Sequence, residues 1–298
     1  MKVAILGNTG LLGQEGEGLL SSREDIEIVY TASSKSSEGK LENAEIAILA
    51  LPHQRSMEMV PQILPLMQFG IIDLSGAYRL NDPKLYPKYY GWKHQHPSLL
   101  ESALYGLPEK NRGAIKEAKL IASPGCYETA VILALMPLVS CGLSAVRIDA
   151  LSGFTGAGKG AQIPTVPTPY KSGRRHQHVP AMEQELGIPG KITFFPKIAS
   201  FPRGILVDIY IKLDKKPSLT ELNDLYASFY SNEPFIRVKP AANLNDVIKT
   251  NFCDIAYRLM SSWIEISVVI DNLGKGGSRQ AIQTLNIKMG LPETKGLV

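Results

Sequence analysis

Cys126 has the sequence setting of a covalent nucleophile. It lies in the string SPGCYETAVILAL, where it follows Pro-Gly and precedes an apolar run of helical length. A thiol at the start of a helix is close to unpaired amide groups and to the positive end of the helix dipole, which lowers its pKa. Glu128 opposes this effect by adding negative charge to the same turn. Cys141 and Cys253 lie among apolar neighbours, so we interpret both as small buried hydrophobes.

Two histidines could serve as the acid/base partner of that thiolate. His176 and His178 form the string HQH and face the same side if the chain is extended there. A pair of solvated loop residues is the alternative interpretation. The preceding string SGFTGAGKG is a glycine-rich turn, in which Gly156 and Gly158 could offer backbone amides to an oxyanion or a phosphate. No second Cys/His pair stands at ligand spacing in the sequence, so we expect no metal site.

An amino-terminal glycine motif indicates dinucleotide binding. Gly7, Gly10 and Gly13 follow an apolar strand in the string GNTGLLG. Glycines in such a turn let the backbone approach a pyrophosphate, and the helix that begins there directs its dipole at the anion. A turn with a purely structural role is the alternative. The other candidate cofactor residues in this motif are Asn8, Thr9 and Leu11.

The end of the second predicted strand indicates which dinucleotide is bound. An NAD site usually has Asp or Glu about 20 residues after the glycines, where it holds the ribose hydroxyls. That position in this sequence carries TASSKSS, which contains no carboxylate. Ser33, Ser34 and Lys35 would instead suit a 2′-phosphate, so the sequence favours NADP. An ordinary polar loop is the alternative.

The pattern of apolar runs predicts two architectures in one chain. Up to about residue 125, strands alternate with helix-length segments, which predicts right-handed crossovers and a parallel sheet. The strands predicted there are 2–6, 26–31, 45–51, 70–74 and 120–122, with a helix after the first strand and another over 53–68. The polar string SSKSSEGK, residues 33–40, is predicted to be a loop.

The remainder of the chain is strand-rich, which predicts a mixed α+β domain. Its predicted strands are 146–152, 192–195, 205–213, 236–239, 253–259 and 264–270, the last two as antiparallel neighbours. Its predicted helices are 218–230 and a closing segment over 276–290.

The overall composition is that of a globular protein of two domains. Of 298 residues, 44% are hydrophobic and 20% are charged, which excludes a disordered or collagen-like chain. No apolar run is long enough to span a membrane, and the net charge of +4 comes without the basic stripe of a nucleic-acid-binding protein. Three cysteines and a start, MKVAILG, without a signal-peptide pattern predict a cytoplasmic protein.

Several motifs in one order give the chain a resemblance to a known family. They are GNTGLLG, ALPHQRS (50–56), IIDLSGAYRL (71–80), ALYGLPE (103–109), SPGCYET, SGFTGAGKG, HQHVPAMEQ and DNLGKGGSRQAIQTLN (271–286). Together they cover nearly the whole chain. They resemble N-acetyl-γ-glutamyl-phosphate reductase and its relatives that act on carrier-linked aminoadipyl or glutamyl phosphates.

The resemblance implies an α/β fold with two domains. One is a Rossmann-type doubly wound parallel sheet that binds NADP, formed by residues 1–124 and 274–298. The other, residues 125–273, is an α+β catalytic and dimerisation domain of the glyceraldehyde-3-phosphate dehydrogenase C-terminal type. The closing helix, from about Gly276, is expected to pack back near the cofactor domain. The resemblance also implies a homo-oligomer, either a dimer or a tetramer.

The resemblance further implies a thioester mechanism in arginine biosynthesis, with an acyl phosphate as substrate and NADPH as reductant. Cys126 would attack the acyl carbon, phosphate would leave, and hydride transfer would yield the aldehyde through a thiohemiacetal. A histidine of the HQH string would handle the proton; we favour His176 and leave His178 open. The matching motifs imply these further cofactor residues: Pro52, Ser75, Asn272, Lys275, Gly276 and Gln280.

A set of polar and cationic residues is predicted to hold phosphate or carboxylate groups of the substrate. These candidates are Arg79, Ser123, Lys159, Arg174 and Arg175. Surface cations without a function are the alternative for the last three.

Departures from the family pattern leave the substrate open. Ser123 stands where the family usually has Asn, Glu128 where it has Pro, and Ala181 where many members have an acidic residue. The family string SGAGR is replaced by TGAGK, and the connection over 33–45 is shorter than is common. A carrier-linked aminoadipyl or glutamyl phosphate is therefore an alternative substrate.

The basic cluster does not choose between these substrates. Lys171, Arg174 and Arg175 would suit a small acidic carrier protein and would equally suit a phosphate. Two further alternatives are an aspartate-semialdehyde dehydrogenase and an NADP-binding sensor without catalysis.

Overall fold

The chain folds into two compact units. The computed structural model describes residues 1–160 and 162–298. Unit 1 comprises Met1–Gly125 and Gly277–Val298, and unit 2 comprises Cys126–Gly276. The assignment of NADP binding to one unit, and of catalysis with dimerisation to the other, stays a prediction from the resemblance.

Unit 1 is built on a seven-stranded sheet. Its strands are β1 (Lys2–Leu6), β2 (Glu27–Ala32), β3 (Ser37–Gly39), β4 (Ile46–Leu49), β5 (Gly70–Asp73), β6 (Ala103–Tyr105) and β7 (Leu120–Ala122). Its helices up to that point are α1 (Leu11–Ser21), α2 (His53–Ile63), α3 (Leu85–Tyr89), α4 (Pro97–Ser102) and α5 (Pro108–Glu117). The strand order is β3-β2-β1-β4-β5-β7-β6, and β3 runs antiparallel to β2 while the other neighbours pair in parallel.

The central strands of this sheet are continuous apolar runs because both of their faces are buried. All four residues of β4, IAIL, are buried, as are the residues of β1 after Lys2. The predicted parallel sheet and its five strands are confirmed. The loop predicted over 33–40 is wrong in part, since Ser37–Gly39 forms β3 at the sheet edge. That edge strand is exposed along its length, so its polar side chains stay in water and there is no free-energy penalty for burying them.

Unit 2 is built on a mixed seven-stranded sheet. Its strands are β8 (Leu143–Gly153), β9 (Thr168–Pro169), β10 (Ile192–Ala199), β11 (Ile205–Leu213), β12 (Ile236–Val238), β13 (Cys253–Leu259) and β14 (Ile264–Ile270). Its helices are α6 (Cys126–Leu135), α7 (His178–Leu186) and α8 (Leu219–Tyr230). The strand order is β12-β13-β14-β11-β8-β10-β9. The predicted antiparallel pairing of β13 with β14 is confirmed.

Helix α6 is the core element of unit 2. Every residue after Cys126 in this helix is buried, and the helix contacts α7 and the strands β11 and β14. At its carboxyl end, the hydroxyl of Tyr226 donates to the carbonyl of Ala134 at 2.6 Å, and that of Tyr230 donates to the carbonyl of Leu133. These bonds satisfy carbonyl groups that lack a partner in the last turn of a helix.

The closing helix of the chain belongs to unit 1. This helix, α9 (Arg279–Lys288), packs against α5 and β5. Just before it, the Ser278 hydroxyl donates to the carbonyl of Leu12 in α1 at 2.7 Å. The closing segment therefore completes the unit that carries the glycine motif.

His94 is held as a neutral ring in unit 1. Its Nδ1 accepts a hydrogen bond from the amide of His96 at 3.1 Å, and its Nε2 lies 3.0 Å from the carbonyl oxygen of Ala77. These two backbone partners place the ring proton on Nε2. The rings of Tyr78 and Tyr86 pack against it. Burial lowers the pKa of His94 to about 4.

We expect His94 to make the fold sensitive to acid. Its pKa in the folded protein is depressed, so the unfolded chain binds more protons between pH 6.5 and about 4. The free energy of unfolding therefore falls as the pH falls through this window, by at most about 1.4 kcal/mol per pH unit from this group. Urea unfolding at stepped pH should give a smaller slope for His94→Phe than for the wild type. Equal slopes would show that His94 has the same pKa in the folded protein as in the unfolded chain.

Candidate active site

Cys126 is the first residue of α6 and is partly exposed. Its neighbour in unit 2 is the last residue of that unit, because a Cβ built on Gly276 would lie 2.7 Å from the Cβ of Cys126. Gly276 belongs to the turn Gly274–Ser278. A side chain at this position would push into the nucleophile, so glycine is required there by close approach and not by backbone angle.

The buried carboxylate of Asp271 holds this turn in place. It accepts a hydrogen bond from Arg203 Nε at 2.6 Å and from the amide of Leu273 at 2.9 Å. The amides of Lys249 and Gly274 also donate to it. These donors satisfy the hydrogen-bonding capacity of the fully buried side chain. The turn that reaches Cys126 is thus anchored by a side chain that sequence reasoning did not single out.

Asn272 links the same turn to the glycine-rich turn after β8. Its Oδ1 accepts from the amide of Gly204 at 2.7 Å, and its Nδ2 donates to Thr155 Oγ1 at 2.9 Å. Gly156 and Gly158 lie in the exposed turn that follows Thr155. Unit 2 therefore brings together two of the predicted cofactor segments. Lys275 is fully buried in unit 2, with its Nζ 5.8 Å from the ring centre of Phe235.

The two histidines are in contact and have different hydrogen bonds. Their ring centres lie 4.6 Å apart at an angle of 75°. His176 Nδ1 accepts a hydrogen bond from the amide of His178 at 3.1 Å, so the neutral ring of His176 carries its proton on Nε2. Burial, followed by the charges of His178 and Lys171, lowers the pKa of His176 to about 2. His176 is a hydrogen-bond donor at neutral pH and has no basic nitrogen left to accept a proton.

His178 lies beside the carboxylate of Glu128. Its Nε2 is 3.7 Å from Glu128 Oε1, and the Glu128 side chain is fully buried in the first turn of α6. The two residues belong to facing helices, α6 and α7. Glu128, which the sequence presented as an opposing charge beside Cys126, is therefore a partner of the histidine pair.

Two tyrosines complete the cluster, and sequence reasoning missed both. Tyr170 follows β9, and its hydroxyl donates to the hydroxyl of Tyr127 at 3.4 Å. The ring of Tyr127 contacts both histidines. Burial raises the pKa of Tyr170 to about 12, and the charge of Cys126 contributes to that rise. The phenol groups therefore remain protonated donors close to the thiol. The position of Tyr127, directly after Cys126, was the signal available in the sequence.

The predicted cations have different surroundings. Arg174 donates to both carboxylate oxygens of Glu183 and to the carbonyl of Ile192, and Arg174 in turn lowers the pKa of Glu183. The Arg174 guanidinium thus stabilises the start of β10. We therefore do not propose Arg174 as a group that binds the substrate phosphate. Arg175 and Lys159 are exposed side chains of unit 2.

Arg79 is a buried residue of unit 1. Its Nε donates to the carbonyl of Ser123 at 2.7 Å, and its Nη2 donates to the carbonyl of Leu74 at 2.7 Å. It thereby orders the main chain that leads through Pro-Gly to Cys126. The hydroxyl of Ser123 is buried and has no hydrogen-bond partner within the described residues.

Two glycines of the unit 1 motif lie where backbone segments approach one another closely. Gly7 has a φ of +93°, and a Cβ there would lie 2.2 Å from the carbonyl oxygen of Ala50. A Cβ on Gly13 would lie 2.2 Å from the carbonyl oxygen of Gly7. Gly10 caps α1 without a side chain, and Asn8, Thr9 and Leu11 complete the turn. The first-turn amides of α1 are therefore not covered by a capping side chain, which fits a dinucleotide phosphate.

The predicted 2′-phosphate residues form a turn at the end of β2. Ser33 Oγ accepts hydrogen bonds from the amides of Lys35 and Ser36, each at 3.1 Å. Ser34 and Lys35 are exposed on this turn. The amide of Gly7 donates to the carbonyl of Ala32 at 2.6 Å, so the turn lies directly beside the glycine motif.

Two other predicted cofactor residues lie at the carboxyl ends of neighbouring strands of unit 1. Pro52 precedes α2 after β4, and Ser75 follows β5. The hydroxyl of Ser75 donates to the buried carboxylate of Asp73 at 2.7 Å and accepts from the amide of Ala77. Ligands of open α/β sheets bind outside this edge.

Within the described residues, no group of three or more His, Cys, Asp or Glu side chains is arranged to hold a metal ion. In the same part of the chain, none of the helices combines the length and the apolar character that a membrane span needs.

Two family models match the chain. Residues 37–118 match the model described as "Semialdehyde dehydrogenase, NAD binding domain", and residues 126–272 match "Semialdehyde dehydrogenase, dimerisation domain". The fold and the site thus define a semialdehyde dehydrogenase that uses a nicotinamide dinucleotide. The second model also supports assembly of the chain into oligomers.

Curated relatives define the protein more narrowly. Over 341 aligned positions it is 39% identical to N-acetyl-gamma-glutamyl-phosphate reductase of Geobacter metallireducens and 40% identical to that of Geobacter sulfurreducens. Each alignment covers 100% of this chain and 98% of the relative. The chain belongs to the N-acetyl-γ-glutamyl-phosphate reductase family, as its motifs predicted. Because the alignments are longer than the 298 residues of this chain, the relatives carry residues that it lacks.

Solved structures confirm the predicted fold class. Aspartate semialdehyde dehydrogenase II from Vibrio cholerae is similar with a TM-score of 0.75 and 17% identity, covering 97% of this chain and 98% of that chain. A probable aspartate-semialdehyde dehydrogenase from Pseudomonas aeruginosa has a TM-score of 0.68 and 15% identity, covering 98% and 99%. At these identities the likeness concerns the fold alone.

We expect Gly276→Ala to impair the site while leaving the fold intact. The new methyl group would lie 2.7 Å from the Cβ of Cys126, so one of them must move. A displacement of about 1 Å at a reacting atom costs on the order of a hundredfold in rate. Turnover and the rate of Cys126 alkylation by iodoacetamide should both fall. Gly18→Ala in α1 is the matched control, because a Cβ there meets nothing within 4 Å. Unchanged alkylation in Gly276→Ala would contradict the contact.

Proposed function

We propose that this chain catalyses the NADPH-dependent reductive dephosphorylation of N-acetyl-γ-glutamyl phosphate to N-acetylglutamate semialdehyde, a step of arginine biosynthesis. The observation that carries the proposal is the partly exposed Cys126 at the start of a buried helix, beside a cluster of two histidines and two tyrosines. The names of the full-length relatives support the identity of the substrate.

The residues of unit 2 account for the covalent steps. The thiolate of Cys126 attacks the acyl carbon, the bond from that carbon to the phosphate oxygen breaks, and inorganic phosphate leaves a thioester. A bound nicotinamide dinucleotide supplies a hydride to the thioester carbon. A histidine donates a proton to the carbonyl oxygen as the C–H bond forms and takes it back as the C–S bond breaks. The aldehyde leaves, and Cys126 returns to the thiolate.

The neighbouring donors stabilise the charge that develops on the carbonyl oxygen. Tyr127 and Tyr170 keep their protons because burial raises the pKa of each. His176 carries its proton on Nε2, because its Nδ1 accepts a hydrogen bond from the amide of His178. Fixed donors of this kind favour an oxyanion over a neutral carbonyl. Lys159 and Arg175 are the exposed cations of unit 2 that we propose to contact the phosphate group.

NADP is the form of the dinucleotide that the turn after β2 favours. Lys35 is exposed there, and the amides around it are ordered by Ser33 Oγ. Residues 32–36 contain no carboxylate that would repel a 2′-phosphate. The acidic residue that pairs with this end of β2 is Glu38 on β3, which lies opposite Thr31. We propose that Lys35 pairs with the 2′-phosphate, and that Ser34 donates to it.

A carrier-linked substrate has less support from the geometry. Of the basic cluster proposed to meet an acidic carrier, Arg174 is bound to Glu183, and the Lys171 amino group donates to Gln177 Oε1 at 2.8 Å. We propose the free N-acetylated acyl phosphate as the substrate, and a homodimer as the assembled form. Sedimentation of the purified protein measures the latter.

We expect NADP reduction by N-acetylglutamate semialdehyde to require both phosphate and Cys126. Replacing the nucleophile in Cys126→Ser should lower turnover by about a thousandfold or more, because the thioester can no longer form. Cys141→Ser is the matched control, because Cys141 is in no disulfide, belongs to unit 2 and should keep wild-type turnover. Its prediction as a buried hydrophobe was wrong, since Cys141 is partly exposed at the end of the turn that follows α6. NADPH absorbance measures the rate.

Two results would contradict the proposal. Turnover of a carrier-linked aminoadipate semialdehyde but not of the free N-acetylated aldehyde would assign the other substrate. Binding of NADP without turnover of either aldehyde would favour a sensor.

We expect Lys35→Ala to change the choice of dinucleotide. Loss of a charge-assisted hydrogen bond worth about 1.5–3 kcal/mol should raise the KM for NADPH by about tenfold or more. The KM for NADH should stay the same, because NADH has no 2′-phosphate. Lys40→Ala, also exposed and close along the chain, is the control. Equal effects on both dinucleotides would place the 2′-phosphate elsewhere.

A further inference from the structure

Glu128 is a fully buried acid two residues from the nucleophile. It lies in the first turn of α6, where its side chain is 0% exposed and Oε1 is 3.7 Å from His178 Nε2. A carboxylate is costly to bury without a countercharge or hydrogen-bond donors. The nearby imidazole of His178, itself only 11% exposed, is a group that can supply a countercharge by binding a proton.

The histidine pair is asymmetric with respect to this carboxylate. His176 is held neutral, with Nδ1 occupied by the amide of His178 and its proton on Nε2. His178 has its Nε2 3.7 Å from Glu128 Oε1, so we assign the proton exchanged with a reacting atom to its other ring nitrogen, Nδ1. An opposite charge at this distance favours the imidazolium form of His178. The pair therefore divides into a fixed donor, His176, and a ring able to carry a transferable proton, His178.

The carboxylate comes from the helix of the nucleophile. Position 181 in α7, the helix that begins with His178, is a fully buried alanine. Glu183 in the same helix is engaged by Arg174. Since α6 and α7 pack against one another, a carboxylate on α6 reaches a histidine on α7.

We propose that Glu128 is a positioning residue that orients His178 and holds its proton, which makes His178, and not His176, the acid/base of the reaction. This assignment rests on the proposed function. In the cycle, the imidazolium of His178 gives the Nδ1 proton to the carbonyl oxygen as hydride adds to carbon. The same nitrogen recovers that proton as the C–S bond breaks, so no proton is gained or lost in this half-reaction. The preference for His176 drawn from the sequence is thereby reversed.

The titratable groups around the histidine pair come from three segments. Cys126, Tyr127 and Glu128 lie on α6, Tyr170 and Lys171 follow β9, and the histidines themselves begin α7. Lys171 bears a positive charge that disfavours protonation of His176, whereas Glu128 favours it. Removing the charge of Glu128 should therefore shift the histidine titration in one direction only, toward lower pH.

The decisive experiment compares Glu128→Gln with the wild type. The amide keeps the shape of the side chain and removes its charge. We expect kcat to fall by about 10- to 100-fold with little change in KM, and the limb of the kcat–pH profile that depends on a protonated group to move down by about 1 to 3 pH units. Glu183→Gln is the matched control, because Glu183 is likewise a buried acid, but it lies on α7 and is paired with Arg174. It should lower stability and leave the pH limb in place. An unmoved limb in Glu128→Gln would overturn the proposal.

A second measurement separates this proposal from the proposed function. The ring-proton NMR signals of His178, assigned with a His178→Gln variant, report its titration without substrate. In the wild type we expect a midpoint above the ordinary value of about 6.5, and a lower one in Glu128→Gln. A wild-type midpoint below the ordinary value would overturn the role of Glu128 even if the enzyme is active. A raised midpoint in a protein that turns over no acyl phosphate would leave the pair intact and refute the proposed function.

Discussion

Helix α6 is buried on every side after Cys126, so the chain has to enclose it completely. A helix of this kind cannot lie on a surface, so unit 2 surrounds it with α7, with strands of the mixed sheet and with the tyrosines of α8. The enclosure fixes the helix along its axis, because both its packing and its carboxyl end are bound. The position of its first residue, Cys126, is fixed as a result. The position of Cys126 at the start of this helix follows from that enclosure.

The groups around Cys126 are positioned mainly by backbone and by buried charges. Asp271 gathers main-chain amides and Arg203, and so shapes the turn that ends at Gly276. His176 is oriented by a main-chain amide, and Arg174 ties the segment before it to β10 through Glu183. These supports leave the thiol, the histidines and the phenols as side chains on a rigid frame, which is what electrostatic catalysis requires.

Much of this architecture could be predicted from the sequence where a residue's type and its role coincide. The apolar strands could be predicted from their runs of hydrophobic residues. Gly7 and Gly13 could be predicted because a close approach of two backbone segments leaves room only for glycine. Short strands such as β3 and β9 could not be predicted, since pairing with a neighbour defines them and not their own composition. The motifs identified Cys126 and the HQH string, and they favoured His176 while leaving His178 open. That ranking depends on which ring nitrogen meets a backbone amide and which meets Glu128, and neither contact has a sequence spacing of its own.

The close approach of Gly276 to Cys126 has a consequence for how the protein is assembled from parts. These are the last and first residues of unit 2, so that unit begins and ends at one place. In topology, unit 2 is an insertion in the dinucleotide-binding unit. Without it, that unit would run from β7 directly into the closing segment. A domain whose ends meet can be exchanged or reordered with little disturbance to its host. The point of insertion is also the nucleophile, so any recombination at this junction would carry the reactive thiol together with the unit that makes it reactive.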